Sequence, residues 1–289
     1  MALEPVLRTR LDALLQALPA AGKGDVGGVH RARVASRRLR AAIPLLSRGA
    51  ARKLERTMRR LTRALGPVRE LDVTIGIVDQ LEADRALSRP AAAALRQALG
   101  GERQRLRTML VREIERADLT RLKKKVLSAV REEARPRRAD LQARLDSAVT
   151  RAGRRAEGLR LAIDAAAGIY LPDRLHEVRI ATKKLRYAME IVRDLRRSRA
   201  VARIDALKAA QDLLGRMHDL EVLITRTRAV QGSANAPALR VSADLDELVR
   251  RLETECRRLH GQYMAARSTL LSICDYAIAD AERRHRTAA

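Results

Sequence analysis

The chain contains no Trp and no Phe, and only four Tyr among its 289 residues. Proteins that hold single-stranded nucleic acid commonly stack bases on aromatic rings, each worth ~1–3 kcal/mol. This sequence has almost nothing from which to build such a platform. Helices that lie in a membrane interface insert Trp, Phe or Leu beside a basic face, and of these only Leu is plentiful. Cysteine is equally scarce. Cys256 and Cys274 fit neither a disulfide framework nor a zinc knuckle, and they read as reduced core residues of a reducing compartment. No apolar run approaches the ~18 residues of a membrane span. At the N-terminus Glu4, Arg8, Arg10 and Asp12 interrupt the apolar residues, so no signal peptide is expected. The expectation is a cytoplasmic protein with no membrane insertion.

Acidic residues are also too few. Lys and Arg number 60 against 35 Asp and Glu, a net charge of +25. Repulsion at that level opposes a compact state unless an anion neutralises part of it. The candidate partners are nucleic acid, polyphosphate, an anionic membrane and an acidic protein. With so few aromatics, the partner is expected to be recognised through charge and phosphate geometry rather than through bases or lipid tails.

What is present is mostly Ala, Leu, Arg and Glu, with apolar residues recurring every three or four positions. Alternating clusters of β-branched residues are missing, so the pattern predicts a nearly all-helical chain. Breaks are expected at LPAAGKGD from Leu18, SRGA from Ser47, LGP from Leu65 and SRP from Ser88. Further breaks are expected at EEARPRR from Glu132, AGIYLPD from Ala167, LGR from Leu214 and QGSANAP from Gln231. Asp25 and Asp173 suit the N-cap positions of two basic helices, and Pro44 should kink or end the first of them. Pro90–Ala117 and Ala139–Ile169 have the Leu/Ala/Val stripes of bundle helices.

The sequence repeats itself. VHRARVASRRLRAAI from Val29 aligns without a gap on LHEVRIATKKLRYAM from Leu175, and LGPVRELDV from Leu65 aligns on LGRMHDLEV from Leu214. His30 falls on His176, Arg33 on Arg179, Arg37 and Arg38 on Lys183 and Lys184, and Arg40 on Arg186. In the second pair Gly66 falls on Gly215, Arg69 on His218, Glu70 on Asp219 and Asp72 on Glu221. The chain therefore reads as a duplicated helical unit, with halves of approximately 1–135 and 136–289. Each half is too long for a solenoid repeat, which favours two helical bundles facing one another.

At about 100° per residue, His30, Arg33, Arg37 and Arg40 fall within roughly a quarter of the helix circumference. Ala32, Ala35, Leu39, Ala42, Ile43 and Leu46 lie opposite. The second segment sets His176, Arg179, Lys183 and Arg186 against Val178, Ala181, Leu185, Met189 and Val192 in the same way. Each helix should pack by one face and present cations on the other. Glu70, Asp72, Asp219 and Glu221, expected near helix starts where acids favour the dipole, could pair with some of these cations. They are fewer than the bases they would have to neutralise. Guanidinium groups bind phosphate oxygens bidentately and stay charged, so two such strips facing each other would form a groove for a linear polyanion.

His30 and His176 could act on phosphate as nucleophile or general acid. No P-loop or glycine-rich phosphate loop accompanies them. His218, His260 and His285 have no metal-ligand spacing, and the His–Asp neighbours in MHD from Met217 are weak evidence of a metal. Neither a metal nor a cofactor is expected, and binding is favoured over catalysis. Each histidine would then donate to a phosphate oxygen and gain charge when the anion is present.

HRARVASRRLR and HEVRIATKKLRY, each followed by an LG…(R/H)(D/E) element, resemble the CHAD family, the conserved histidine α-helical domain, over essentially the whole chain. The resemblance implies a single CHAD domain spanning 1–289. It implies an all-α fold of two bundles related by pseudo-two-fold symmetry, enclosing a basic cavity or pore for inorganic polyphosphate. It also implies association with polyphosphate granules and with polyphosphate-metabolising enzymes. Family members are found beside or fused to triphosphate-tunnel enzymes. This sequence shows no acidic, strand-rich segment of that kind and reads as a stand-alone member. Carried over position by position, the anion-binding residues are His30, Arg33, Arg37, Arg38 and Arg40, with His176, Arg179, Lys183, Lys184 and Arg186. Arg59 and Lys208, matched positions on the next helix, are secondary candidates. Glu70 stands where the family pattern has Asp, and Pro44 is a second departure. The alternatives are a basic helical protein that binds nucleic acid and a polyphosphate-processing phosphohydrolase.

Overall fold

Leu and Ala at three- and four-residue spacing give each long segment one apolar face, and such faces are satisfied by packing helix on helix. The computed structural model describes residues 3–46, 48–132, 138–196, 198, 201–233 and 237–288. Among these residues there are nine α-helices and no strand. They are α1 (Leu3–Lys23), α2 (Val26–Ala42), α3 (Arg48–Ala83), α4 (Arg89–Ala117), α5 (Leu119–Glu132), α6 (Arg138–Ala166), α7 (Pro172–Arg196), α8 (Ala202–Gln231) and α9 (Leu239–Ala288), with a 3-10 turn at Ile43–Leu45. The fold is all-α, as the sequence predicts. No described helix is long and apolar enough to cross a membrane.

Local signals set several of the boundaries. Gly24, at φ 84°, makes the left-handed turn after α1. The Asp25 carboxylate then caps α2 by accepting from the Gly28 N–H. Pro44 ends α2 by turning it into the 3-10 segment. Ser88 caps α4, its hydroxyl accepting from the Ala91 N–H at 3.4 Å. Asp173 is not an N-cap. α7 opens at Pro172, a residue suited to a first helical position because its missing N–H would go unpaired there. Asp173 therefore lies inside the first turn.

The break expected in LPAAGKGD falls at the end of that stretch, because α1 continues past Leu18 and Pro19 to Lys23 before turning at Gly24. Two expected breaks do not occur: α3 runs unbroken through Gly66 and Pro67, and α8 runs through Gly215. An interior proline costs about 3 kcal/mol, whereas each fully buried Leu or Val contributes roughly 1.5–3 kcal/mol. Around Pro67, α3 buries Leu61, Leu65, Val68 and Leu71, so packing outweighs the local signal. Glu70, Asp72, Asp219 and Glu221 consequently sit in mid-helix and not near helix starts. The break at EEARPRR, and with it the boundary between the halves, falls on residues 133–137, outside the described residues. So do Ser47 of SRGA and 234–236 of QGSANAP.

Two apolar cores hold the helices together. One joins α1, α2, the first part of α3 and α5 to Leu110 of α4, Ala148–Ala152 of α6 and Ile191 of α7. The other joins α8 and α9 to Ile77 and Val78 of α3, Leu95 of α4, Leu159 of α6 and Leu185 of α7. Cys256 and Cys274 are buried in this second core with free thiols. Helices α3, α4, α6 and α7 thus contribute to both cores, and α2 and α7 meet where the cores adjoin.

Candidate functional site

Each basic helix buries the face that the sequence assigns to it. α2 sinks Ala32, Ala35, Leu39 and Ala42 into the first core, and α7 sinks Val178 and Leu185 into the second. The opposite faces open on one shared cavity of ≈ 570 Å³. His30, Arg33 and Arg37 line it from α2, and His176, Arg179, Lys183 and Arg186 line it from α7. α3 and α8 close it with Arg69, Glu70, Arg216, His218 and Asp219. The two strips therefore share one space.

The remaining predicted residues lie elsewhere. Arg38, Arg40, Arg59, Lys184 and Lys208 are exposed and do not line the cavity. Arg38 and Lys184 each sit about 100° round the helix from the strip. Arg38 pairs instead with Glu190 at 3.4 Å, and Arg59 lies 3.9 Å from Glu55. Arg186 reaches the cavity, but its guanidinium is buried, held by the Glu190 carboxylate and donating to Gln211 Oε1 at 3.0 Å. Glu190 has no counterpart in the first repeat, because Pro44 occupies the equivalent position. Glu190 thus neutralises one repeat's arginine, while its partner Arg40 is left in solvent.

Sequence reasoning passed over several lining groups. Arg69 and His218 are matched members of the LG elements, so the repeat alignment already contained the signal that they belong with the strip. Arg216 and Gln211 had no such marker. Neither did Tyr187, which lies beside Arg37 and carries the Arg186 guanidinium 4.4 Å from its ring centroid.

Cations dominate the cavity. Arg33, Arg37, Arg69, Arg179, Lys183, Arg186 and Arg216 face Glu70, Asp212 and Asp219. Burial, then the neighbouring Arg37 and Arg179, push Arg33 down to about 10. Burial followed by Arg37 and Arg179 pushes Lys183 down to about 6. His218 falls to about 4 through burial and then Arg179, and His30 and His176 are lowered for the same kinds of reason. Nδ1 of His176 lies 3.1 Å from Nδ1 of His218, so at most one of these two nitrogens carries a proton in the neutral pair. Burial raises Asp219 despite Arg179. The site is a charged cavity in which Lys183 and the histidines in particular hold their protons less tightly than usual. An incoming anion would restore that hold.

A sequence model of the CHAD domain matches residues 5–228. A search of curated proteins found no match. Among solved structures, the chain is similar to PptA from Streptomyces chartreusis, at a TM-score of 0.67 and 18% identity, covering 91% of this chain and 97% of that one. It is also similar to the CHAD domain from the plant Ricinus communis, at a TM-score of 0.57 and 20% identity, covering 98% and 92%. At these identities the structural likeness bears on the fold alone.

Two stability measurements check the electrostatics. Lys183 binds a proton near pH 6 when folded and near its ordinary 10.5 when unfolded. Between those values the unfolded chain holds more protons, so this group makes stability rise with pH. In urea titrations, the stability gained by Lys183→Met over the parent should shrink steadily from pH 7 to pH 9. A constant difference would mean that the lysine titrates normally. Glu190→Ala leaves Arg186 buried without its carboxylate and should cost about 3 kcal/mol. The double change Glu190→Leu with Arg186→Met should cost less, because it removes both charges together.

Proposed function

Because the chain belongs to the CHAD family, we propose that its basic cavity binds inorganic polyphosphate without acting on it chemically. The observation that carries this reading is the convergence of His30, Arg33 and Arg37 with His176, Arg179 and Lys183 on one cavity. The family is associated with polyphosphate-related proteins. Phosphate chemistry suits the lining. Arginine forks can bridge successive phosphate oxygens, while the neutral histidines donate one hydrogen bond each and take up a proton as the anion's field reaches them. A linear chain of phosphates is narrow enough for ≈ 570 Å³. Apart from histidines, Tyr187 is the aromatic side chain of the lining. It is engaged by Arg37 and Arg186, which leaves no free ring for stacking bases. Through this binding the protein would be targeted to polyphosphate granules or organise them, in company with polyphosphate-metabolising enzymes.

In a competition titration at physiological salt, long-chain polyphosphate should displace duplex DNA, with affinity falling steeply as salt is raised. The reverse ranking would favour nucleic acid, and release of orthophosphate that is lost in His30→Ala would favour an enzyme. Arg37→Glu combined with Lys183→Glu should weaken polyphosphate binding strongly while leaving helix content intact. Unchanged affinity in that double variant would separate binding from the cavity.

Anion binding raises the pKa of Lys183 and of the cavity histidines, so it should draw protons from solution at pH 7 and tighten as pH falls from 8 to 6. Calorimetry in buffers of different ionisation enthalpy reads the number of protons taken up. Proton release on binding would contradict the assignment of these groups.

A further inference from the structure

Gly66 lies in the interior of α3 without a turn, a break or a positive φ to account for it. After proline, glycine is the least favourable residue in such a position, so something else must call for it. A Cβ built at Gly66 would stand 2.6 Å from Nη1 of Arg33, the tightest kind of encounter, and 3.7 Å from its Cζ. The Arg33 guanidinium therefore lies directly against the bare backbone of α3. The second repeat has the same pairing in a looser form: a Cβ at Gly215 on α8 would meet Nε of Arg179 at 3.8 Å, an ordinary contact. Gly66 and Gly215 are matched positions, as are Arg33 and Arg179.

We infer that Gly66 is a positioning residue for the cavity: the missing side chain leaves a seat on α3 that holds the Arg33 guanidinium turned into the polyanion site. The inference rests on the polyphosphate reading for its functional meaning, but the seat itself is a matter of geometry. Arg37 on the same helix and Arg179 across the cavity repel Arg33, with Glu70 the carboxylate that draws it back. Left to itself, the long side chain would move its charge towards water and away from its like-charged neighbours. The groove over Gly66 is what keeps it in place. The clash that Gly66→Ala introduces is with the far end of a flexible side chain. It is relieved by swinging the guanidinium out, not by moving the helix.

The test uses Gly66→Ala, with Gly76→Ala as control. Gly76 is on the same helix, exposed, with nothing within 4 Å of a built Cβ. Both changes raise helix propensity and should raise the thermal midpoint by about 2 °C. Gly66→Ala alone should weaken polyphosphate binding about tenfold and lower the salt slope by about one phosphate contact. Gly215→Ala should cost less than Gly66→Ala. If the glycine acts through Arg33, Gly66→Ala adds no further loss on an Arg33→Ala background. A readout without ligand completes the set: modification of Arg33 by phenylglyoxal, mapped by mass spectrometry, should be several-fold faster in Gly66→Ala than in the parent or in Gly76→Ala. Equal modification rates, or additive losses in the double variant, overturn the inference. Faster modification in a protein that does not bind polyphosphate would uphold the seat and reject the polyphosphate reading.

Discussion

Arg33, Arg37, Arg179 and Lys183 repel one another across a single half-buried cavity, and the architecture is arranged around holding them there. In water such charges would separate and be screened within a Debye length of about 8 Å. Here the backbones of α2 and α7 are fixed by the apolar faces opposite the charges, Leu39 and Ala42 on one side and Val178 and Leu185 on the other. The side chains therefore cannot move apart by moving their helices. The repulsion appears instead as depressed proton affinity, most plainly at Lys183 and His218. Hydrophobic packing holds the free protein in this unfavourable charge arrangement, and an anion relieves it.

The carboxylates near the cavity set how far that arrangement goes. Glu190 fully engages Arg186 and also reaches Arg38, removing one repeat's arginine from the mobile charge of the site. Glu70 and Asp219, at matched positions on α3 and α8, lie among the cations without neutralising them. Glu70 steadies Arg33 and Arg179, and burial keeps Asp219 closer to its neutral form. The two matched segments thus treat equivalent charges differently. The difference is sharpest at Pro44, which stands opposite Glu190 in the alignment: it both ends α2 and leaves Arg40 without the partner that Arg186 has.

Much of this was legible before any coordinates. The helical period, the apolar faces of α2 and α7, the Asp25 cap and the stop at Pro44 follow from local rules, and the repeat singled out His30, Arg33, Arg37, His176, Arg179 and Lys183. What escaped is non-local. Gly66, Pro67 and Gly215 look like breaks, because the burial of Leu65, Val68 and Leu214 that overrides them depends on packing partners far away in sequence. Arg186 and Glu190 stand four apart on one helix, a spacing that suggests a pair. That the pair is buried, and that it also captures Arg38 from α2, is visible only when the two helices are set side by side. Arg216 and Gln211 reach the cavity through the packing of α8 on α7, which no spacing in the sequence reports.

The passage of α3, α4, α6 and α7 through both cores bears on how the molecule can come apart. A chain with two apolar cores might be expected to keep two units that open and close separately, each with its own protection against hydrogen exchange. Here Val68 of α3 belongs to one core and Val78 of the same helix to the other, as do Ala152 and Leu159 of α6. A fluctuation that frees one end of such a helix withdraws packing from the far core as well. Opening of one core is therefore coupled to the other through these shared helices, and the cavity lies where α2 of the first core meets α7 between them.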